Sequence, residues 1–108
     1  MNEVYQIAEV RNVMKFLLRL HMPTEYGNKF LQDPNFQKKL ESVLNQIKPE
    51  AVYFTPIEGE RGMYMIVNLP SADMIATVTE PLWMMFNCKI ELEPLAELKD
   101  LQQGLQKK

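Results

Sequence analysis

The segment FLLRLHM, residues 16–22, alternates apolar and polar side chains, and CKIELE, residues 88–93, alternates in the same way. Because successive side chains of a β-strand point to opposite faces, each segment has one apolar face and one mixed face. On the mixed face lie Leu17, Arg19, His21, Lys89, Glu91 and Glu93. The two segments therefore predict a sheet with one dry face, which helices can cover, and one face dense in ionisable groups.

Length and composition indicate one small globular domain. The chain has 108 residues, of which 46% are hydrophobic and 24% charged, as is typical of globular domains. A domain of this size buries roughly two-thirds of the surface of its unfolded chain, enough for one core. We predict an extension over residues 1–13, with a weak helical stripe of Val4, Ile7 and Ala8, and a single domain over residues 14–108.

Charge and cysteine content restrict the expected partners and compartment. The net charge is −2 and no basic cluster occurs, which argues against nucleic acid as the main partner. No apolar run approaches the ~20 residues of a transmembrane helix, and the first residues, MNEV, lack the pattern of a signal peptide. Cys88 is the single cysteine, so it forms no intrachain disulfide. We expect a cytoplasmic protein with no membrane partner.

The chain after the first alternating segment predicts helical structure. Thr24 can begin a short turn or helix, weakened by Gly27. Asp33 and Pro34 are typical of a helix start, because Asp caps and Pro fits the first helical position. Apolar residues at helical spacing follow until Pro49, which stops the helix.

A hairpin and a second helix follow. Residues 51–55 and 63–69 are predicted to be strands joined by a turn over residues 58–62. The next helix begins after Ser71, and Pro81 inside its apolar stripe predicts a kink or two abutting helices. Asn87 can close this helix in the left-handed conformation. After the last strand, a C-terminal amphipathic helix is marked by Leu95, Leu98, Leu101 and Leu105.

The predicted order of elements is βαββαβ followed by a tail helix. Two right-handed crossovers build an antiparallel sheet with both main helices on one face. This is the α+β, ferredoxin-like arrangement, with expected strand order 4-1-3-2. The first and last strands are then neighbours, so Arg19 and His21 lie beside Lys89, Glu91 and Glu93 on the sheet face without helices, here called the open face.

Three stretches add a resemblance to a known family: KPEAVYF (residues 48–54), EPLW (80–83) and FN (86–87). Together with the element order they resemble the dimeric α/β-barrel superfamily over residues 14–105. This superfamily includes muconolactone isomerases and antibiotic-biosynthesis-type monooxygenases. The resemblance implies a homodimer formed by two open sheet faces. It also implies small-molecule binding within the barrel or between sheet and helices. No catalytic residue carries over, because the members use different residues.

His21 is the only histidine and the natural proton-transfer group near neutral pH. A neighbouring carboxylate, Glu91 or Glu93, would orient the imidazole and make it a general base. His21 and Glu91 are therefore the catalytic candidates. The alternative is a partly solvated histidine at a strand end without a chemical role.

Five residues of the open face are candidates for ligand binding. Arg19 can hold a carboxylate or phenolate, or it can form a structural ion pair with Glu91 or Glu93. Tyr53, Tyr64 and Asn68 share the open-face parity and can line an aromatic, hydrogen-bonding pocket. The tyrosines serve equally well as anchors of a dimer interface, where tyrosine is enriched. Glu93 completes the set of ligand-binding candidates.

The remaining reactive side chains favour structural roles. The eight methionines match core positions better than a copper site. Cys88 lies on the apolar side of its strand, which predicts a buried thiol with a raised pKa. The run Trp83–Phe86 cannot point wholly inward, so part of it is expected at the surface. No metal-ligand spacing, phosphate loop or nucleophile elbow occurs, and we expect neither metal nor cofactor.

Two hypotheses for function follow from the sequence. The first is small-molecule binding in a dimeric α/β barrel, extended to cofactor-independent acid–base chemistry of an isomerase or monooxygenase kind. The second is a non-catalytic, homodimeric interaction or structural module whose polar face forms the dimer. Both stay open at this stage, and so does the question whether the protein is an enzyme.

Overall fold

Four antiparallel strands form one sheet with the predicted neighbours. A computed structural model describes residues 13–106. The predictions for residues 1–12, including the stripe of Val4, Ile7 and Ala8, and for residues 107–108 lie outside this range. The strands are β1 (Met14–His21), β2 (Ala51–Ile57), β3 (Glu60–Leu69) and β4 (Lys89–Leu95). Their order is β2-β3-β1-β4, which read from the other edge is the expected 4-1-3-2.

Helices connect the strands. They are α1 (Thr24–Gln32), α2 (Phe36–Ile47), a 3-10 turn (Ala72–Met74), α3 (Ile75–Phe86) and α4 (Leu98–Gln106). Residues of α1, α2 and α3 pack with β1 and β3 in one core cluster, while α4 follows β4 as the predicted tail helix. This α+β arrangement fits the predicted ferredoxin-like fold. No helix within residues 13–106 has the length and apolar character needed to cross a membrane.

The core lies between the sheet and helices α1–α3, on the face that the strand alternation assigns to it. Leu18, Leu20 and Met65 are 0% exposed because every second residue of a strand points the same way. The helices close the core through one stripe each. The buried helical residues of this core include Val43, Val78, Leu82 and Phe86.

Two helix ends differ from the predicted ones. Helix α2 begins at Phe36 rather than at Pro34. The Asp33 carboxylate accepts the backbone N–H of Asn35 at 2.8 Å, and the Asp33 carbonyl accepts that of Phe36 at 3.0 Å. These bonds form a turn before the helix, since an Asp side chain readily satisfies the N–H two residues on. At the other end, Lys48 is left-handed with φ 56° and closes the helix before Pro49.

Helix α3 runs through Pro81 as one element, rather than as the two abutting helices considered above. A proline removes one hydrogen bond of the helical ladder, and packing of the flanking turns can hold the remainder. Val78 and Leu82, on either side of Pro81, are both buried in the core. Asn87 closes the helix with φ 47°, as predicted. Leu95 ends strand β4 instead of opening the tail helix, which begins at Leu98.

Candidate functional site

The open face brings the predicted candidates onto neighbouring strands. In the register of β1 with β4, Arg19 lies opposite Glu91 and His21 opposite Lys89. In the register of β1 with β3, Arg19 lies opposite Tyr64, and Tyr64 in turn lies opposite Tyr53 of β2. The predicted neighbourhood therefore exists at the level of the backbone, and the side-chain contacts decide what it can do.

Arg19 is held by Glu93 and Tyr64. Its Nη1 lies 2.7 Å from Glu93 Oε1, and its guanidinium carbon lies 5.7 Å from the centre of the Tyr64 ring. The pair is diagonal in the sheet, because a long arginine reaches past the directly opposite Glu91. Among the described residues the buried Nε atom of Arg19 has no hydrogen-bond partner. The contacts match the structural ion pair more closely than a ligand anchor.

His21 approaches a carboxylate that the sequence did not single out. Its Nε2 lies 3.7 Å from Glu60 Oε1. The second oxygen of Glu60 accepts the backbone N–H of Thr24 at 3.1 Å, at the start of α1. The catalytic pairing of His21 with Glu91 therefore finds no contact among residues 13–106. Glu60 was missed because residues 58–62 were assigned to a turn, whereas Glu60 already belongs to β3 and points to the open face.

A second polar cluster on the open face contains Lys15, Glu50 and Asn68. Lys15 Nζ lies 2.9 and 3.0 Å from the two carboxylate oxygens of Glu50, and Asn68 Nδ2 donates to the same group at 3.0 Å. The hydrogen bond from Asn68, followed by that from Lys15, lowers the pKa of Glu50. Asn68, a predicted ligand-binding residue, is thus engaged with a neighbouring side chain.

The two tyrosines form part of an exposed aromatic surface. Tyr53 is 63% exposed, and Tyr64 is half-buried beside Arg19. Ile66 and Leu17, which lie opposite each other on β3 and β1, continue this surface toward the centre of the sheet. The open face thus mixes aromatic and aliphatic side chains with charged ones, a composition that also occurs in protein interfaces.

The helix-covered side of the sheet contains a cavity that is partly open to solvent. Its volume is about 130 Å³, and its walls come from all strands except β4, from α1 and α2, and from the end of α3. The side chains that line it are almost all apolar, and they include Leu20, Met22, Phe30, Leu40, Met63 and Phe86. Its apolar interior offers few polar partners to water, which favours occupation by an apolar group.

Aromatic rings pack against one another in one wall of the cavity. Phe30 meets Phe86 edge to face with ring centres 5.2 Å apart, and it meets Phe36 at 6.0 Å in the same manner. Helix α1 is also tied to α3, because the Tyr26 hydroxyl donates to the Met85 carbonyl. Such edge-to-face pairs fix ring orientation as well as burying surface. The cavity is therefore a formed feature of the fold.

Arg61 and Phe54 also line the cavity. Both are exposed to solvent, Phe54 to 62%, so they mark the side where the cavity meets solvent. Arg61 lies across α1 at Gly27, where a Cβ atom would come within 2.8 Å of Arg61 Nη1. The sequence interpretation missed Arg61 for the same reason as Glu60, since it was assigned to a turn. Continuing the predicted strand back by three residues, from Met63 to Glu60, would have placed Arg61 on the cavity side and Glu60 on the open face.

Cys88 agrees with the structural role predicted for it, and part of the run Trp83–Phe86 lies at the surface as predicted, but the core position predicted for Met84 is wrong. Burial raises the pKa of the Cys88 thiol to about 11, and its Sγ lies 3.6 Å from the Leu82 carbonyl as a donor. Trp83 and Met84 are exposed, Met84 to 84%, while Phe86 is buried. Within residues 13–106 no group of three or more His, Cys, Asp or Glu side chains could hold a metal ion.

Comparison with known proteins gives a likeness of fold alone. No family model matches the chain, and no curated protein matches it. Among solved structures, the crystal structure of an unknown protein from Galdieria sulphuraria aligns with a TM-score of 0.51 and 12% sequence identity. The alignment covers 80% of this chain and 47% of that one, so this chain spans about half the length of its structural neighbour. At this identity the match carries no function.

Proposed function

We propose that the protein binds a small, mainly apolar organic molecule in the cavity between α1, α2 and the sheet. The observation that carries this proposal is the cavity itself, about 130 Å³ in volume and lined by aliphatic and aromatic side chains. An engineered apolar cavity of about 150 Å³ in another protein is large enough to bind benzene. A molecule with a single ring, or a branched aliphatic group of similar size, therefore suits this one.

The location of the cavity favours binding without acid–base chemistry. His21 points to the open face, whereas the cavity lies on the helix-covered side, so the sheet separates the imidazole from a bound molecule. The Cys88 thiol, with its pKa raised by burial, offers no ready nucleophile at neutral pH. Isomerase- or monooxygenase-like activity, like the relationship to those families, stays a prediction from the sequence resemblance.

A second copy of the chain is the partner that we propose for the open face. The open face carries an apolar and aromatic patch of Leu17, Ile66, Tyr53 and Tyr64 next to the Arg19–Glu93 ion pair. Burial of the apolar and aromatic surface favours association, and the pairing of Arg19 with Glu93 avoids burial of an unpaired charge. This observation also favours the alternative function, a homodimeric interaction module, and the two roles are compatible because they use opposite faces. A cytoplasmic location stays a prediction.

Methionine-methyl NMR tests the binding proposal within one spectrum. Met22 and Met63 line the cavity, Met65 is fully buried outside its lining, and Met84 is 84% exposed on α3. We expect titration with toluene to shift the methyl signals of Met22 and Met63 in a saturable manner, since a bound ring would lie against them. The signal of Met84 should stay in place.

The same spectrum contains the control and the contradicting outcomes. Met65 reports on a general change of the core, because its side chain is 0% exposed. Equal shifts at Met65 and the cavity methionines would indicate rearrangement or unfolding instead of binding in the cavity. Absence of saturable shifts at Met22 and Met63 up to the solubility limit of toluene would contradict the proposal.

A further inference from the structure

We propose that the ligand of the cavity is a small carboxylate, with its apolar part inside the cavity and its anionic group bound to Arg61. This inference rests on the proposed binding function and adds the chemical class of the ligand. It assigns the role of anion anchor, expected for Arg19 of the open face, to an arginine on the opposite side of the sheet.

Arg61 is fixed at the lining of the cavity by its own strand and by α1. Its carbonyl accepts the backbone N–H of Met22 at 3.1 Å, which joins the start of β3 to the end of β1. Its side chain passes Gly27, which is buried and leaves room for the guanidinium because it has no Cβ atom. Arg61 therefore borders the apolar cavity and is at the same time exposed to solvent.

Within residues 13–106 no carboxylate lies within ion-pair distance of Arg61. Glu60, its neighbour in sequence, points to the other face and contacts His21 and Thr24. Arg19, by contrast, already has Glu93 at 2.7 Å. A guanidinium with free donors is suited to a carboxylate, because its planar fork matches the two oxygens.

The cavity and Arg61 together disfavour several other ligand classes. An amino acid would place its ammonium group next to the guanidinium of Arg61 and without an anionic partner, which is unfavourable. A dicarboxylate would place its second carboxylate against the apolar lining, again without a partner of opposite charge. A long fatty acid exceeds a volume of about 130 Å³. The remaining class is a monocarboxylate with one aromatic ring or a short branched chain.

Calorimetric titration with benzoate and with benzamide tests this assignment, because the two molecules have nearly the same shape and differ in charge. For the unaltered protein we expect benzoate to bind about fivefold more tightly than benzamide, the effect of a partly exposed ion pair. Arg61→Met should abolish this preference, because it weakens the binding of the anionic benzoate more than that of the neutral benzamide. Lys38→Met, which removes an exposed cation from α2, should leave the preference unchanged.

The outcomes distinguish failure of the carboxylate assignment from failure of the proposed binding function. Binding of both molecules with equal affinity, or an unchanged preference for benzoate in Arg61→Met, would contradict the carboxylate assignment and leave the cavity function standing. Failure of both molecules to bind would contradict the proposed function and this inference together. Thermal denaturation of Arg61→Met checks that it folds, and Arg61→Lys, which keeps the charge but loses the fork, should retain only part of the preference.

Discussion

At the scale of single residues, Glu50 shows how a surface carboxylate is tuned by its neighbours. It joins the segment before β2 to β1 through Lys15 and to β3 through Asn68. The ionised carboxylate of Glu50 accepts the hydrogen bond from the Asn68 amide more strongly than a protonated carboxyl group would. The bond therefore stabilises the ionised form. The pKa of Glu50 is lowered chiefly by this bond, so the residue links pH to the stability of the sheet.

The direction of that linkage gives a prediction. Because the pKa of Glu50 is lower in the folded chain than in the unfolded one, its contribution to stability is present above the unfolded pKa and is lost as pH falls through the folded pKa. We expect Asn68→Ala to raise the pKa of Glu50 and to weaken this acid dependence. Carboxyl NMR titration and urea denaturation at neutral and acidic pH measure the two effects. Asn45→Ala, at an exposed position of α2, is the control, and an unchanged Glu50 pKa in Asn68→Ala would refute the assignment.

Arg19, also at the residue scale, shows the limit of strand parity. The sequence predicted correctly that Arg19 faces carboxylates of the last strand. It could not rank Glu91 against Glu93, because both share one face and the choice depends on the reach of the side chain. The Tyr64 ring also packs against the guanidinium and so influences which carboxylate Arg19 meets. Tyr64 lies more than forty positions away from Arg19 in the sequence.

At the scale of elements, the β2–β3 hairpin is the part most sensitive to added volume. Gly62 lies opposite Thr55, and a Cβ atom there would lie 2.5 Å from Ile57 Cγ1 and 2.7 Å from the Thr55 carbonyl oxygen. The second of these is backbone and cannot rotate away. Ile57 thus folds over Gly62, and the two strands fit together because this position lacks a side chain.

Two glycine substitutions test this interpretation as a matched pair. Gly62→Ala should lower the free energy of unfolding by about 1–3 kcal/mol, as overpacking does. Gly104→Ala, in α4 with nothing within 4 Å of the added Cβ, should raise it by about 0.5–1 kcal/mol through helix propensity. Urea denaturation of both variants measures the difference. Equal or greater stability of Gly62→Ala would show that the hairpin relaxes freely.

Helix bounds illustrate which parts of an element could be predicted. The periodic stripes of α2 and α3 located both helices, because burial of one face dominates their stability. Their starts were less certain: Asp33 and Pro34 carry a helix-start signal, yet they form a turn before Phe36. Hydrogen bonds from an Asp side chain to nearby backbone groups can stabilise either a helix start or a separate turn. The sequence pattern alone does not decide which of the two forms.

At the scale of the whole molecule, the sheet has one face covered by helices and one face for which we propose a second copy. Ile66 lies near the centre of the open face, opposite Leu17 on β1 and Ala51 on β2. We expect the unaltered protein to sediment as a dimer and Ile66→Glu to sediment as a monomer, because an unpaired charge would be buried in the interface.

A matched control keeps this prediction specific. Met84→Glu introduces the same charge on α3, at a side chain that is 84% exposed, and should leave the dimer intact. Thermal denaturation shows whether Ile66→Glu is folded. A folded, unaltered protein that sediments as a monomer at high concentration would overturn the homodimer and leave the cavity unaffected.

The sequence by itself determined the order of the elements, the strand order and the face to which the residues of the predicted strands point. These follow from local periodicity and from the few connections that short crossovers allow. Only the tertiary structure decided which carboxylate meets Arg19 or His21, and it alone revealed the cavity beside Arg61. Such features depend on how side chains from distant segments fill space within a few ångströms. Leu20, Gly27, Leu40 and Arg61 look unrelated in the sequence, and they form one site only when α1 and α2 close over the sheet.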